Sequence, residues 1–443
     1  MRVEIKNTEL FHQTLSKLYP KLNSCSAKGI TVDSRKVKKG DIFVAIKGEF
    51  NNGHDFILEA IKLGASICIV EEKKDENTNL FEVSSTRNFL NKIINNYRCK
   101  LNFPIIGITG SNGKTTTKDL LFHVLSKNNK IISSEGNYNS TIGAPLSILR
   151  CDTDLDYAVL EIGASKPNEI EYICNIIKPN IGIITNIHAS HIKYFGSIKK
   201  IAKTKSALFN LLPKDGVAFI NMDDRFIKNM TTQSKRIEFS FNDSADFHAK
   251  WNNKNGELLI NNTLIKLNSF SDALAKNALG VFSIASYLDE KTEIIKNQIE
   301  SFIPTEGRGN IIKIKELTII NDTYNSNLES AITGINNLIS IKSNNRKIVV
   351  IGDMLELGKD EKYIHEMLGI HISNKSIDAV FAYGNLTKYT ICALKGISGV
   401  HKFYENKSNL ISDLTTFLNK RDILYVKGSR GMGMEDIIQG LIK

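Results

Sequence analysis

Cysteine is scarce and badly placed for pairing. The six thiols are Cys25, Cys68, Cys99, Cys151, Cys174 and Cys392, and no two stand at CxxC spacing. That argues against a zinc ribbon or a dithiol redox pair and suits a reducing compartment. Long apolar runs are missing too. No stretch approaches the ~18 residues of a membrane helix, and MRVEIKNTELFHQ lacks the apolar core of a signal peptide. The expectation is a cytoplasmic chain without membrane insertion. Nor is there an arginine-rich tail or a basic stripe interleaved with aromatics. The net charge of +11 therefore reads first as solvated lysine surface, then as a site for small polyanions, with no nucleic-acid partner.

What is present is ordinary globular sequence in quantity. The 443 residues correspond to about three domains at ~150 residues each. With 42% hydrophobic and 24% charged residues, a disordered or low-complexity chain is excluded. Strand and helix patterns alternate almost throughout, which indicates α/β layers with largely parallel sheets. Short strands at Asp41–Ile46 and Ser66–Val70 and helices near Phe56–Leu63 and Arg87–Tyr97 make a first unit. Apolar runs Ile105–Ile108, Tyr157–Leu160 and Ile181–Thr185 make a second. Residues 236–268 read as hairpins with NG-type turns, followed by helices near 272–287 and 291–302. Ile311–Ile320, Ile348–Ile351, Ala379–Ala382 and Ile423–Val426 make a third. The expected boundaries fall near residues 101 and 308.

The sharpest chemical signal is Gly107-Ile-Thr-Gly-Ser-Asn-Gly-Lys-Thr-Thr-Thr117. A strand feeds a glycine-rich turn, and Lys114-Thr115 opens a helix. Inward-pointing amides of such a turn cradle phosphate. Lys114 would neutralise the β/γ-phosphates and the Thr115 hydroxyl would bind Mg²⁺. The glycine spacing departs from the standard P-loop, since Ile108 stands where its first glycine belongs. Glu161 ends an apolar strand, where a carboxylate faces the ligand crevice. His188 and His191 follow the next strand.

Lys205 lies in a predicted helix over Ser197–Phe209. It falls on the apolar face of Ile198, Ile201, Ala202, Leu208 and Phe209. A buried lysine needs a partner or loses its proton. A neutral amine beside a metal could become a carbamate, whereas the bland alternative is snorkelling to solvent. In the third unit Asn321–Asn327 lies before a helix starting near Glu329, placed either to cap it or to touch nucleotide. Gly352–Gly358 and Lys427–Arg430 also follow apolar strands.

Together these segments resemble the Mur ligase family, ATP-dependent amide-forming enzymes of peptidoglycan precursor synthesis, over nearly the whole chain. Val32–Arg35, Gly40–Ala45 and Asn52–Phe56 resemble the UDP-sugar-binding domain, and Thr109–Thr116 the ATP loop. Gly136–Pro145 is similar to the second motif of the member that adds D-Ala-D-Ala. The resemblance implies three domains. Residues 1–101 would be a smaller N-terminal α/β domain for UDP-MurNAc. Residues 102–308 would be a central P-loop mononucleotide-binding parallel sheet. Residues 309–443 would be a Rossmann-like domain for the dipeptide. It implies Lys114, Glu161, His191 and Lys205 as catalytic residues. Gly110, Ser111, Asn112, Gly113, Lys114, Thr115, Thr116, Asn277, Arg308 and Asp322 would bind ATP. Ser34, Arg35, Asn137, Asn139, Asn325, Lys427 and Arg430 would meet substrate. Two Mg²⁺ ions would be held by Thr115, Glu161, His191 and a carbamylated Lys205.

The implied reaction joins D-Ala-D-Ala to UDP-MurNAc-tripeptide through an acyl phosphate, in a monomer. Alternatives are another Mur-type ligase, a folylpolyglutamate synthase-like ligase, a P-loop switch or a silent binding module. The chain departs from the family pattern in three places: Asn321 for an aspartate, Leu328 for a proline, and the pair Ala273-Leu274 for a His-Asn pair.

Overall fold

Strands buried on both faces must be apolar on both faces, which is why they read as unbroken isoleucine and valine. In the computed structural model, which describes residues 1–48, 51–73, 79–190, 192–269, 271–394 and 399–442, Ile105, Ile106 and Ile108 are completely buried. The described residues form three α/β units, each around one parallel-rich sheet. The first has five strands in chain order, Arg2–Glu4, Gly29–Thr31, Ile42–Val44, Ile67–Val70 and Leu80–Glu82, antiparallel only at the first pair. The second has nine strands, with Ile105–Thr109 between Tyr157–Glu161 and Ile181–Ile184. The third has six, parallel except where Asn310–Ile314 meets Leu317–Asp322. Among the described residues no helix is long and apolar enough to cross a membrane.

One expectation fails in part. Lys235–Ser240 is not in a hairpin. It runs parallel to Val217–Asn221 and to the start of Phe247–Asn252, and the antiparallel pairs begin only there, with Glu257–Ile260 and Thr263–Lys266. Alternating hydrophobicity reports a half-buried strand, not the direction of its neighbour. The helix Thr8–Leu18, capped by Asn7, is an element the sequence reading leaves unassigned.

The first two units share one apolar cluster. Phe11, Leu15, Phe89, Ile93 and Tyr97 of the first lie in the same core as Leu146, Ile148 and Ile173 of the second. Polar bonds close this seam: Tyr97 donates to the Cys151 carbonyl at 2.7 Å, and the buried Arg98 to the Ile177 carbonyl at 2.9 Å. The third unit keeps its own apolar clusters. It meets the second through sparse polar contacts such as Asn327–Asn112 and Arg308–Thr115. Burial therefore welds the first two units, while single hydrogen bonds of about 1 kcal/mol each hold the third.

Candidate active site

The turn after Ile105–Thr109 is built on glycine for steric reasons. Gly110 has φ 152°, and a Cβ there would stand 1.9 Å from Thr185 Oγ1. Gly113 has φ 81°, and its Cβ would meet Asn277 Oδ1 at 2.6 Å. Gly113 is the N-cap of the helix Lys114–Leu125 and carries no side chain to satisfy the first amides. Those amides stay available to an anion. The turn is clamped from the next strand's end. The Asn112 amide donates to Asn186 Oδ1 (2.9 Å), the Ser111 amide to the Asn186 carbonyl (2.9 Å), and the Thr185 hydroxyl to the Asn112 carbonyl.

Lys114 Nζ reaches back over the turn to the carbonyls of Gly110 (3.0 Å) and Ser111 (3.3 Å). Among the described residues it has no hydrogen-bonded acid. Burial lowers its pKa, Glu161 opposes that, and Arg308 adds to it. Glu161, 2% exposed, ends its strand beside the turn. It accepts from Thr115 Oγ1 at 2.8 Å and from Asn139 Nδ2 at 2.7 Å, with its own amide bonded to Ser134 Oγ. These oxygen donors suit a hard divalent cation that keeps phosphate and water in the rest of its shell. Among the described residues no three His, Cys, Asp or Glu side chains cluster as an all-protein cage.

Lys205 lies on the buried face of the helix Ile198–Asn210 and is 3% exposed. Burial pushes its pKa well below the usual lysine range, Lys114 pushes the same way, and Glu161 opposes. Among the described residues its amine has no hydrogen-bond partner. His191 lies outside the described residues. His188 lines the cavity, its backbone amide bonded to Ser111 Oγ at 2.9 Å.

The third unit supplies the opposite wall of a cavity of about 690 Å³. Arg308 stacks over the Tyr324 ring at 3.6 Å and reaches Thr115 Oγ1 at 3.0 Å. Asp322, ending Leu317–Asp322, accepts from Lys427 Nζ at 2.7 Å and from the Tyr425 hydroxyl at 2.8 Å. The cavity brings together Ser111, Asn112, Gly113, Lys114, Thr115, Thr116, Asn137, Asn139, Glu161, Asn277, Arg308, Asp322, Asn325 and Lys427. Gly110 forms the turn behind this lining. Ser34 and Arg35 lie away from it in the first unit, Arg35 exposed and paired with Asp33 at 2.9 Å. Arg430 pairs with Glu435 at 2.8 Å outside the cavity lining.

The segment before Leu328–Ser340 does cap that helix. Asn327 Oδ1 accepts from the Ser330 amide at 2.9 Å, and the Ser330 hydroxyl accepts from the Asn327 amide at 3.1 Å in a capping box. The Asn327 side chain also donates to Asn112 Oδ1 at 2.7 Å. The sequence reading missed that cap-to-turn link. Asn321, at the departure from aspartate, is 1% exposed and accepts from the Thr323 hydroxyl at 2.7 Å. Ala273, at the departure from histidine, lines the cavity.

With this geometry in place, the comparisons with known proteins agree along the chain. The Mur ligase family, catalytic domain, matches residues 26–101; the Mur ligase middle domain, 108–299; the Mur ligase, glutamate ligase domain, 307–430. The UDP-N-acetylmuramoyl-tripeptide–D-alanyl-D-alanine ligase of Buchnera aphidicola subsp. Baizongia pistaciae is 36% identical, over 96% of this chain and 94% of that one. The ligase of the same name from Bacillus subtilis is 31% identical, over 99% and 98%. A crystal structure of MurF from Acinetobacter baumannii superposes with TM-score 0.88 at 25% identity, over 97% of this chain and 98% of that one. That of MurF from Thermotoga maritima in complex with ADP gives 0.83 at 28% identity, over 93% and 96%.

Proposed function

The chain belongs to the Mur ligase family, and from that premise we propose that it joins D-Ala-D-Ala to UDP-MurNAc-tripeptide at the expense of ATP. The observation that carries this reading is one cavity faced by two parallel sheets. Lys114, Thr115, Glu161 and Asn139 line its floor, and Arg308, Asp322, Asn325 and Lys427 its opposite wall. A nucleotide on the floor and an acceptor on the wall would meet there. We place the domain boundaries near residues 101 and 308, with UDP-sugar, ATP and dipeptide held by the first, second and third domains. The reaction would run in the cytoplasm, in a monomer.

ATP would phosphorylate the terminal carboxylate of the tripeptide, and the dipeptide amine would then displace phosphate from the acyl phosphate. The open amides at the helix start, residues 113–116, would hold the β- and γ-phosphates. Lys114, pre-aimed by two carbonyls and lacking an acid, would shift onto the transferring phosphoryl group. Arg308, already against Thr115, would add a second cation. Catalysis of this kind is mainly positioning and charge stabilisation. Thr115 and Glu161 would hold one Mg²⁺, and His191 with a carbamylated Lys205 a second. When bound, Mg²⁺ neutralises phosphate charge and orients the oxygens for in-line transfer. The buried Lys205 amine, without a hydrogen-bond partner among the described residues, has the low basicity a carbamate-forming lysine needs.

The test is phosphate release with UDP-MurNAc-tripeptide and D-Ala-D-Ala against single amino acids. Release that requires the dipeptide is expected. ATP turnover indifferent to any amino-acid acceptor would reject the ligase reading.

A further inference from the structure

The helix Leu328–Ser340 carries Gly334 in its middle, buried. Glycine there costs roughly 1 kcal/mol relative to alanine, so a packing reason is required. The structure supplies one. A Cβ at Gly334 would stand 1.8 Å from the Tyr425 hydroxyl and 2.3 Å from its ring carbon Cζ. The glycine makes room for a completely buried tyrosine on the strand Ile423–Lys427, whose hydroxyl donates to Asp322 Oδ2 at 2.8 Å.

Lys427, two residues along the same strand, donates to that same oxygen at 2.7 Å. Residues two apart share a face, so both donors come from one side. The Lys427 amine is also tied to the Asn325 carbonyl at 2.9 Å. Asp322 Oδ2 is thus saturated. Oδ1 has no hydrogen-bond partner among the described residues, and Asp322 lines the cavity with its side chain 23% exposed. A carboxylate held by one flexible ammonium could rotate and exchange its oxygens. A rigid phenol, locked by packing, stops that rotation and presents a single free acceptor.

We propose that Tyr425, seated on Gly334, is a positioning residue that fixes Asp322 with Oδ1 facing the cavity as an acceptor for a hydroxyl of the bound nucleotide. This rests on the reading of Asp322 as an ATP contact. Burial, with the Asp322 charge beside it, raises the phenol's pKa and keeps it a donor.

The test compares Tyr425→Phe, Gly334→Ala and Asp322→Asn in the full chain. Steady-state kinetics for ATP, UDP-sugar peptide and dipeptide would be measured with calorimetric ATP binding and thermal melts. Tyr425→Phe is expected to raise the ATP KM and Kd on the order of tenfold, the worth of one hydrogen bond to a charged group. The change in kcat at saturating ATP should be smaller, and the KM values of the other substrates unmoved. Gly334→Ala, which displaces the phenol, should show the same signature. A fall in kcat and melting temperature with equal losses for all substrates would make Tyr425 merely structural and overturn the inference. So would an unmoved ATP KM in Tyr425→Phe when Asp322→Asn raises it. An unmoved ATP KM in Asp322→Asn would overturn the Asp322 reading itself, and the inference with it.

Discussion

Two parallel sheets face each other across one cavity, and each brings lysine to its carboxyl edge. They treat it in opposite ways. In the central domain Lys114 is held only by carbonyls, and Lys205 by no hydrogen bond among the described residues. Burial lowers the pKa of both. In the third domain Lys427, 2% exposed, is bonded at 2.7 Å to Asp322. An amine left without an acid is costly to keep buried, and that cost is relieved when an anion arrives. A lysine already paired with an acid has little to gain from a second anion. The difference separates amines left without an acid from a cation that shapes a wall.

The comparison breaks most directly at Lys114. We expect Lys114→Ala to reduce kcat on the order of 10²–10³-fold, the usual worth of one preorganised charge donor, with an unchanged or raised melting temperature. A large loss of stability instead would show that Lys114 is a structural cation. Lys427→Met should do the reverse first. Removing one partner of a buried pair costs about 3 kcal/mol, the low end of the usual range because Asp322 is partly exposed. Chemical denaturation would read it as a lower midpoint for the third domain. An unshifted midpoint would erase the contrast.

Lys205 sharpens the same line. Lys205→Ala should lower kcat about 10²-fold, and added short carboxylates should restore part of it by supplying the lost oxygens. The variant should also melt no lower than the parent, because it removes a buried amine without a hydrogen-bond partner among the described residues. Full activity without additive would exclude the carbamate role, and a cooperative loss of stability would move Lys205 into the structural group.

How much of this was legible in sequence follows from distance along the chain. The P-loop is local: Gly110, Gly113, Lys114 and Thr115 stand within six residues, and strand, turn and helix each leave a signal. Helical period alone puts Lys205 on the buried face, and in the structure it is 3% exposed. The links that set the site across domains left no such trace. Asn327 meets Asn112 across 215 residues. Tyr425 and Gly334 are ordinary residues until their elements pack. The pattern of Lys235–Ser240 does not show that it runs parallel, because its neighbours and not its own residues decide that.

The smallest expected effect concerns the two cavity rims. The central rim, the phosphate turn, is clamped by Thr185 and Asn186, which do not titrate. The rim of the third domain at Gly352–Gly358 leans on His365, which is completely buried. Its Nε2 accepts from the Met354 amide at 3.0 Å, so its Nδ1 carries the proton and donates to the Glu361 carbonyl at 2.7 Å. A second proton would set N–H against N–H. Burial accordingly lowers the pKa below 6.5, with the Glu361 carbonyl and the Asp353 and Glu361 charges opposing. The unfolded chain then takes the proton more readily than the folded one. The stability this histidine supplies is complete above pH 6.5 and is lost as pH falls below it, by at most about 1.4 kcal/mol per pH unit. His365→Gln keeps an acceptor and a donor without the titration. Its melting temperature should fall less steeply than the parent's from pH 6.5 to 5, while nucleotide binding to the central rim keeps the parent's pH dependence. Parallel melting curves for parent and variant would show that His365 is not what makes the third-domain rim acid-sensitive.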